Sequence, residues 1–332
     1  MDRFARLLSD AGPTSRIIEI GPSHAPIAPR RDGWNTSVVD HANAAGLRTK
    51  YAAMGVDTSR IEEVDFVWAG GSLADAIPLP LHGGFDLLIA SHVIEHIPDF
   101  VGFFKSLESV MARDGVVSLA VPDKRYCFDV FKPHTCTGDL LVAAGRAVHD
   151  LRTAWTHKAY TATYDGTGAW GQHPVAVPRL AHTLAEVAAA LEGFKADGPY
   201  DDFHAWHFTP AAFALAVLEL GMIGRMDWHI AGITEALGCE FIVQLRRGAR
   251  RSGLPALEAE RLALLLQIGR ELADGLRFQG LDPLVDAPVD ARLARAELAA
   301  ERARQDLVIL RASTSWRITA PLRALAGLFR FG

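Results

Sequence analysis

The segment FDLLIASHVIEHIPD, Phe85 to Asp99, crowds three proton-handling groups, His92, Glu95 and His96, at the point where an apolar run gives out. Imidazole exchanges a proton near neutral pH and a neighbouring carboxylate can take or orient one, so the pattern suits general acid–base work. Upstream, RIIEIGPSHAP (Arg16 to Pro26) breaks an apolar run at Gly21-Pro22, and SVVDH (Ser37 to His41) ends another with Asp40. Gly21 and Asp40 stand nineteen residues apart. At that spacing a tight turn can approach a nucleoside while an acid accepts from its ribose hydroxyls. His92, His204, His207 and Asp123 are the candidate catalytic bases for a hydroxyl acceptor.

Each of these residues also has a structural reading. Glu95-His96 at a helix start is explained by the helix dipole and by packing. His204 and His207, with Asp201 or Asp202, have ligand chemistry. Their three-residue spacing around Trp206 fits one face of a turn, however, and no further ligands stand at useful spacing, so no metal is expected. Asp123-Lys124-Arg125 can grip an anionic acceptor or form a solvated loop, and Tyr126, Trp155, Tyr160, Tyr164 and Trp170 can stack on a ring or build a small core.

For these residues to meet, the apolar runs must be strands of one sheet. Strand signals at Arg16 to Ile20, Ser37 to Asp40, Asp65 to Trp68, Asp86 to Ala90 and Val116 to Val121 alternate with helical material, the pattern of a parallel sheet wound by crossovers. Phe100, Phe104, Leu107 and Met111 predict a helix capped by Asp99 and followed by Gly115. In FTPAAFALAVLELG, Thr209 caps, Pro210 takes the first turn and Gly221 closes. Arg225 to Ala231 and Cys239 to Leu245 predict two strands that pair antiparallel, carrying the sheet to about Arg247. Between the two halves, Lys124 to Tyr200 reads as an insertion with a helix over Ala181 to Leu191. At the N-terminus a short amphipathic helix is expected, with Phe4, Leu7 and Leu8 covering the first strand.

The 332 residues allow one large domain with an appendage, and 49% hydrophobic residues can fill its core. A net charge of -5 offers no basic field for nucleic acid, which is not expected as a partner. Cys127, Cys136 and Cys239 suggest neither a disulfide framework nor zinc, in keeping with a reducing cytoplasm. No run approaches the ~20 apolar residues of a membrane span.

The loop after Gly21 carries Pro22, Ser23, His24, Ala25 and Pro26 in place of GxGxxG, so it lacks the amides a diphosphate needs. No YxxxK pair occurs either, which weighs against a nicotinamide-dependent nucleotide-sugar oxidoreductase. The pieces EIGPSHAPIAP, FDLLIASHVIEHIPD, GVVSLAVPDKRYCFD and YDDFHAWHFTPAAF resemble the class I S-adenosylmethionine-dependent methyltransferases of the type-11-like branch. They are most similar to those encoded among bacterial surface-polysaccharide and glycosyltransferase genes. The resemblance covers about Arg16 to Arg247. It implies a Rossmann-like α/β fold, a sheet parallel except for an antiparallel final strand, with an inserted substrate cap over 124–207 of a domain spanning 1–247. A helical extension over 248–312 and a basic amphipathic tail over 313–332 follow.

The resemblance further implies S-adenosylmethionine as cofactor. Glu19, Gly21, Pro22 and Ser23 would lie beneath its methionyl part, Asp40 and His41 at the ribose, Gly71 and Ser72 near adenine, and Ser91 and His92 beside the methyl. The turn WAGGSL departs from the family by placing Ala69 where an acid often stands, with Asp75 further on. The expected acceptor is a sugar hydroxyl of a surface glycan or its precursor, with a small lipid or quinone as alternative. A non-catalytic assembly module is the reading of another class. The Pro255 to Ala312 helices suit a homo-oligomer. The Arg311 to Gly332 tail, with four arginines and no acid, suits peripheral contact with the inner face of the cell membrane.

Overall fold

The computed structural model describes residues 2–172, 178–195, 198, 200–248, 252–278 and 304–305. In chain order the elements are α1 (Arg3–Leu7), β1 (Ile17–Ile20), β2 (Thr36–Asp40), α2 (Ala44–Ala53), β3 (Phe66–Val67), α3 (Leu73–Ala76), β4 (Phe85–Ser91), α4 (Phe100–Val110) and β5 (Met111–Pro122). There follow α5 (Thr137–Ala143), α6 (Leu151–Ala159), β6 (Ala162–Thr163), β7 (Arg179–Leu180), α7 (Leu184–Ala190), α8 (Pro210–Met222), β8 (Trp228–Ile233), β9 (Glu240–Arg247) and α9 (Leu254–Phe278).

Seven strands form one sheet in the order β3-β2-β1-β4-β5-β9-β8. β1 to β5 pair in parallel, and β9 runs antiparallel between β5 and β8. The expected architecture is therefore present, a mostly parallel α/β sheet with an antiparallel last strand. Its central strands read as unbroken apolar runs because both faces are covered. Phe100, Phe104, Leu107, Phe213 and Phe241 belong to the cluster on one face, and Leu7, Ile17, Leu87, Ile89 and Ile242 to that on the other.

Several boundaries differ from expectation for local reasons. α1 covers the sheet through Leu7, while Phe4 is 47% exposed. α4 is capped as expected, Asp99 Oδ1 accepting from the Gly102 amide at 2.7 Å. It stops at Val110 because Met111 already pairs with Phe85, so Gly115 lies inside β5. α8 starts on the Thr209 cap and Pro210, then runs past Gly221 to Met222; Gly224, at φ +70°, makes the turn instead. In the insertion, Thr183 and Glu186 form a capping box, which starts α7 at Leu184.

The chain divides into two compact units, Met1–Gly280 and Leu281–Gly332. α9 belongs to the first and packs on α8 through Leu264, Ile268 and Leu272. The Pro-broken stretch from Leu281, nearly all of the second long helix expected to Ala312, and the basic tail lie outside the described residues. Among the described residues no helix is long and apolar enough to cross a membrane.

Candidate functional site

In a parallel sheet the strand ends share one edge, and there the loops after β1, β2, β3, β4 and β5 converge. β9, being antiparallel, begins at this edge: Glu240 pairs in register with Pro122 at the end of β5.

The turn after β1 is held by two buried carboxylates. Gly21 adopts φ +64°, and a Cβ there would stand 3.0 Å from Val93 Cγ2, so glycine serves both the turn and the close approach. Glu19, 2% exposed, accepts from the amides of Ile27 (2.7 Å) and Ala28 (3.1 Å) and so pins the far end of the loop. Burial raises the Glu19 pKa to about 7 against the lowering effect of those two bonds. Glu19 therefore acts beneath the loop, as its anchor. Asp40, at the end of β2, is also 2% exposed. Its Oδ2 accepts from the Ser23 amide at 3.0 Å, and its Oδ1 meets both the His41 amide (2.8 Å) and His41 Nδ1 (2.7 Å). The His41 ring, half exposed, lies over that carboxylate. Pro22 sits between these anchors and contributes no amide.

Beyond β3, Gly70 and Gly71 take positive φ, Ser72 stands at the start of α3, and the Trp68 indole donates to Gly71 O at 3.1 Å while stacking on Phe103. Ala69 and Asp75 are exposed.

At the end of β4 the backbone is forced. His92 has φ +55°, and with Ser23 and Asp165 it makes up the positive-φ non-glycine residues among those described. Two of the three thus sit at this edge, where strain of order 1–3 kcal/mol must be held by surrounding contacts. His92 Nε2 bonds Glu240 Oε2 at 2.8 Å. Arg3 of α1 bridges the Glu240 carboxylate and Ser91 Oγ. Burial works against a charged His92, but the Glu240 bond and the Glu95 charge prevail and raise its pKa. Arg3 and Glu240 were missed in the sequence. Glu240 could have been found by asking which residue begins the strand that runs back from the active edge.

One 3-10 turn further, over Ile94–His96, Glu95 is 1% exposed and neither carboxylate oxygen has a hydrogen-bond partner among the described residues. Three imidazoles surround its Oε1: His92 Nδ1 at 3.8 Å, His96 Nε2 at 3.7 Å and His204 Nε2 at 3.9 Å. His204 comes from the end of the insertion and is anchored there, its Nδ1 bonding Asp129 Oδ2 at 2.7 Å. Buried Lys132 holds the other Asp129 oxygen at 2.6 Å. Although burial opposes its charge, the His204 and Lys132 contacts push the Asp129 pKa well below the carboxylate range.

Two expected bases are not at the site. Asp123 is fully buried and clamped by Arg125, whose Nε and Nη2 reach its two oxygens at 2.9 and 2.6 Å, so both oxygens are engaged away from the site. Arg125 is buried in that pairing, and Lys124, also buried, donates to Val130 O at 2.9 Å, so neither offers a grip on an anion. His207 is enclosed, its ring nitrogens facing Pro133 O and His204 O at 3.2 and 3.1 Å, and burial lowers its pKa to about 3. Of the insertion's aromatics, Tyr126 and Trp170 are buried, while Trp155 and Tyr160 are exposed.

A family model described as "Methyltransferase domain" matches residues 1–174. No curated protein matches the chain. Among solved structures, one described as a putative Zn-dependent alcohol dehydrogenase from Rhodobacter sphaeroides is 16% identical, covering 74% of this chain and 89% of its own, with a TM-score of 0.41. An S-adenosylmethionine-dependent methyltransferase from Mesorhizobium loti is 13% identical over 74% of this chain and 95% of its own, at 0.38. A SAM-dependent methyltransferase from Methanosarcina mazei is 12% identical over 75% and 100%, at 0.39. With the family model spanning more than half its length, the chain belongs to the methyltransferase-domain family.

Proposed function

We propose that this chain transfers a methyl group from S-adenosylmethionine to a hydroxyl of a sugar in a surface polysaccharide or its precursor. The observation that carries the cofactor assignment is the state of the loop after β1. The amides of Ser23, Ala25, Ile27 and Ala28 are bonded to Asp40, Pro22 O and Glu19, so none of these four is free to converge on a diphosphate. A nicotinamide dinucleotide would lose its main anchor there. A nucleoside without phosphate loses nothing, and it keeps the acid at the end of β2. The residues fit such a ligand: Asp40 is an acceptor beside a glycine turn, screened by a single half-exposed ring that can rotate aside.

S-adenosylmethionine supplies an electrophilic methyl on a sulfonium. This chain's part is alignment and proton removal. Rotation of the His41 ring opens one side of Asp40 Oδ1 to a ribose hydroxyl, the His41 amide staying bonded to the same oxygen. His92, fixed by Glu240 and by its strained backbone, is the base that takes the acceptor's proton at Nδ1. Exposed Trp155 on α6 and Tyr160 just after it give the cap ring faces on which a sugar can stack. α9 shows leucines 254, 262, 265 and 266 to solvent, which suits self-association through 255–312. A cytoplasmic enzyme whose basic tail touches the inner face of the membrane fits a glycan precursor as acceptor.

The test is mass spectrometry of surface glycans from cells with and without the protein, and with Asp40→Ala. Loss of one methylene mass from a glycan in both the deletion and the variant is expected. Unchanged glycans with a methyl missing from a lipid or quinone would overturn the acceptor assignment.

A further inference from the structure

The Glu95 environment demands something that the methyl-transfer reading does not use. A carboxylate that is 1% exposed and accepts no hydrogen bond is costly, because nothing replaces the water it gave up. The groups around it are the wrong distance away to repair this. A charged imidazole donating to a carboxylate closes to about 2.7–2.9 Å, whereas the three ring nitrogens stand at 3.7, 3.8 and 3.9 Å from Oε1. Separations near that size are what ligand atoms keep around a shared centre. With bonds of about 2.0–2.2 Å to zinc, two tetrahedral ligands lie about 3.4 Å apart.

The outward nitrogens complete the pattern. His204 Nδ1 bonds Asp129 at 2.7 Å, while His96 Nδ1 lies 2.9 Å from Asp202 Oδ1 in an ion-pair contact without hydrogen-bond geometry. An imidazole whose Nδ1–H is held by a carboxylate presents its Nε2 lone pair on the other side, the arrangement that orients metal-binding histidines. Here the His204 lone pair faces Glu95, His96 Nε2 stands 3.7 Å from the same oxygen, and one ligand atom each from Glu95, His96 and His204 lie within 4.8 Å of one another. Drawing them to a common centre needs ring movements of less than about 1 Å.

We propose that Glu95, His96 and His204 bind one divalent transition-metal cation, of the zinc or iron(II) class, in a site of two imidazoles and one carboxylate with a position left open. The two imidazole nitrogens select these ions over magnesium or calcium, which prefer all-oxygen sites. Asp129 is the positioning residue for the His204 ring. His92, just after β4, borders the site, its Nδ1 standing 3.8 Å from Glu95 Oε1. The proposal concerns binding and stands whether or not the protein transfers methyl groups.

The test uses full-length protein without a histidine tag, stripped with a chelator, dialysed against Zn²⁺ and assayed by elemental analysis. One equivalent per chain is expected, with a rise in thermal midpoint that scales with Zn²⁺ concentration. Glu95→Gln and His204→Gln should each lower affinity by about 100-fold or more and abolish that rise. Asp129→Asn should lower it by about 10–100-fold, and His207→Gln should leave it unchanged. Cobalt(II) added to the wild type should give the visible bands of a nitrogen- and oxygen-ligated ion of low coordination number, which decides the matter if a variant fails to fold. A wild type that retains no zinc and gives only the spectrum of aqueous cobalt would overturn the proposal, as would variants that bind as well as the parent.

Discussion

Two carboxylates at the same sheet edge have opposite surroundings. Glu19, under the β1 loop, accepts two backbone amides, whereas Glu95, after β4, accepts nothing from the described residues. Both are almost fully buried. The difference separates what the backbone can provide from what a ligand must. On the β1–β2 side the loop's amides are consumed in shaping a turn around Glu19 and Asp40, and the result is a closed cradle. On the β4–β9 side the insertion brings His204 within reach of Glu95 without satisfying it, and the result is unmet demand.

The comparison can be broken or sharpened experimentally, and the largest effect should come from the cradle. Asp40→Ala should weaken S-adenosylhomocysteine binding by about 10³-fold, roughly 4 kcal/mol, because charge-assisted bonds to two hydroxyls are lost together. Calorimetry reads this, and a change under tenfold would remove Asp40 from the ribose. Next comes pH. The Glu19 pKa is raised from 4.5 to about 7, so the folded state prefers the protonated acid. Its stabilising contribution is complete below pH 4.5 and is lost as pH rises through about 7, up to about 3 kcal/mol. Denaturant titrations across that window should show the decline, and Glu19→Gln should flatten it. Replacing His92 by alanine should lower kcat about 10²-fold while leaving cofactor affinity within a factor of a few. The smallest effect is the most telling for the contrast. At low pH Glu19→Gln should cost about 1–3 kcal/mol, since it sets an amide donor against a backbone donor. Glu95→Gln in chelator-treated protein should cost less than about 0.5 kcal/mol, having no hydrogen bond to lose.

What the sequence revealed follows the range of the interactions. The strands were legible because burial on both faces makes them continuous apolar runs, and Gly21 and Asp40 because a turn and a strand end are local. Met111 was assigned to the wrong element since its helical spacing from Leu107 is real, but pairing with Phe85 overrides it. Asp123 looked available only while the fold of its own loop was unknown: Arg125, two residues on, takes both its oxygens. The Glu95–His204 approach spans the whole insertion, and Glu240 reaches His92 only through the reversal of β9. Neither leaves a spacing in the chain, so His204 was paired by proximity with His207, which the structure keeps out of the cluster.

The central claim is that the β1 loop is built for a nucleoside without a diphosphate. Calorimetric titration of the full-length protein with S-adenosylhomocysteine and, separately, with NAD tests it most directly. Saturable binding of one S-adenosylhomocysteine per chain and no heat with NAD is the predicted result; binding of NAD with none of S-adenosylhomocysteine would contradict it.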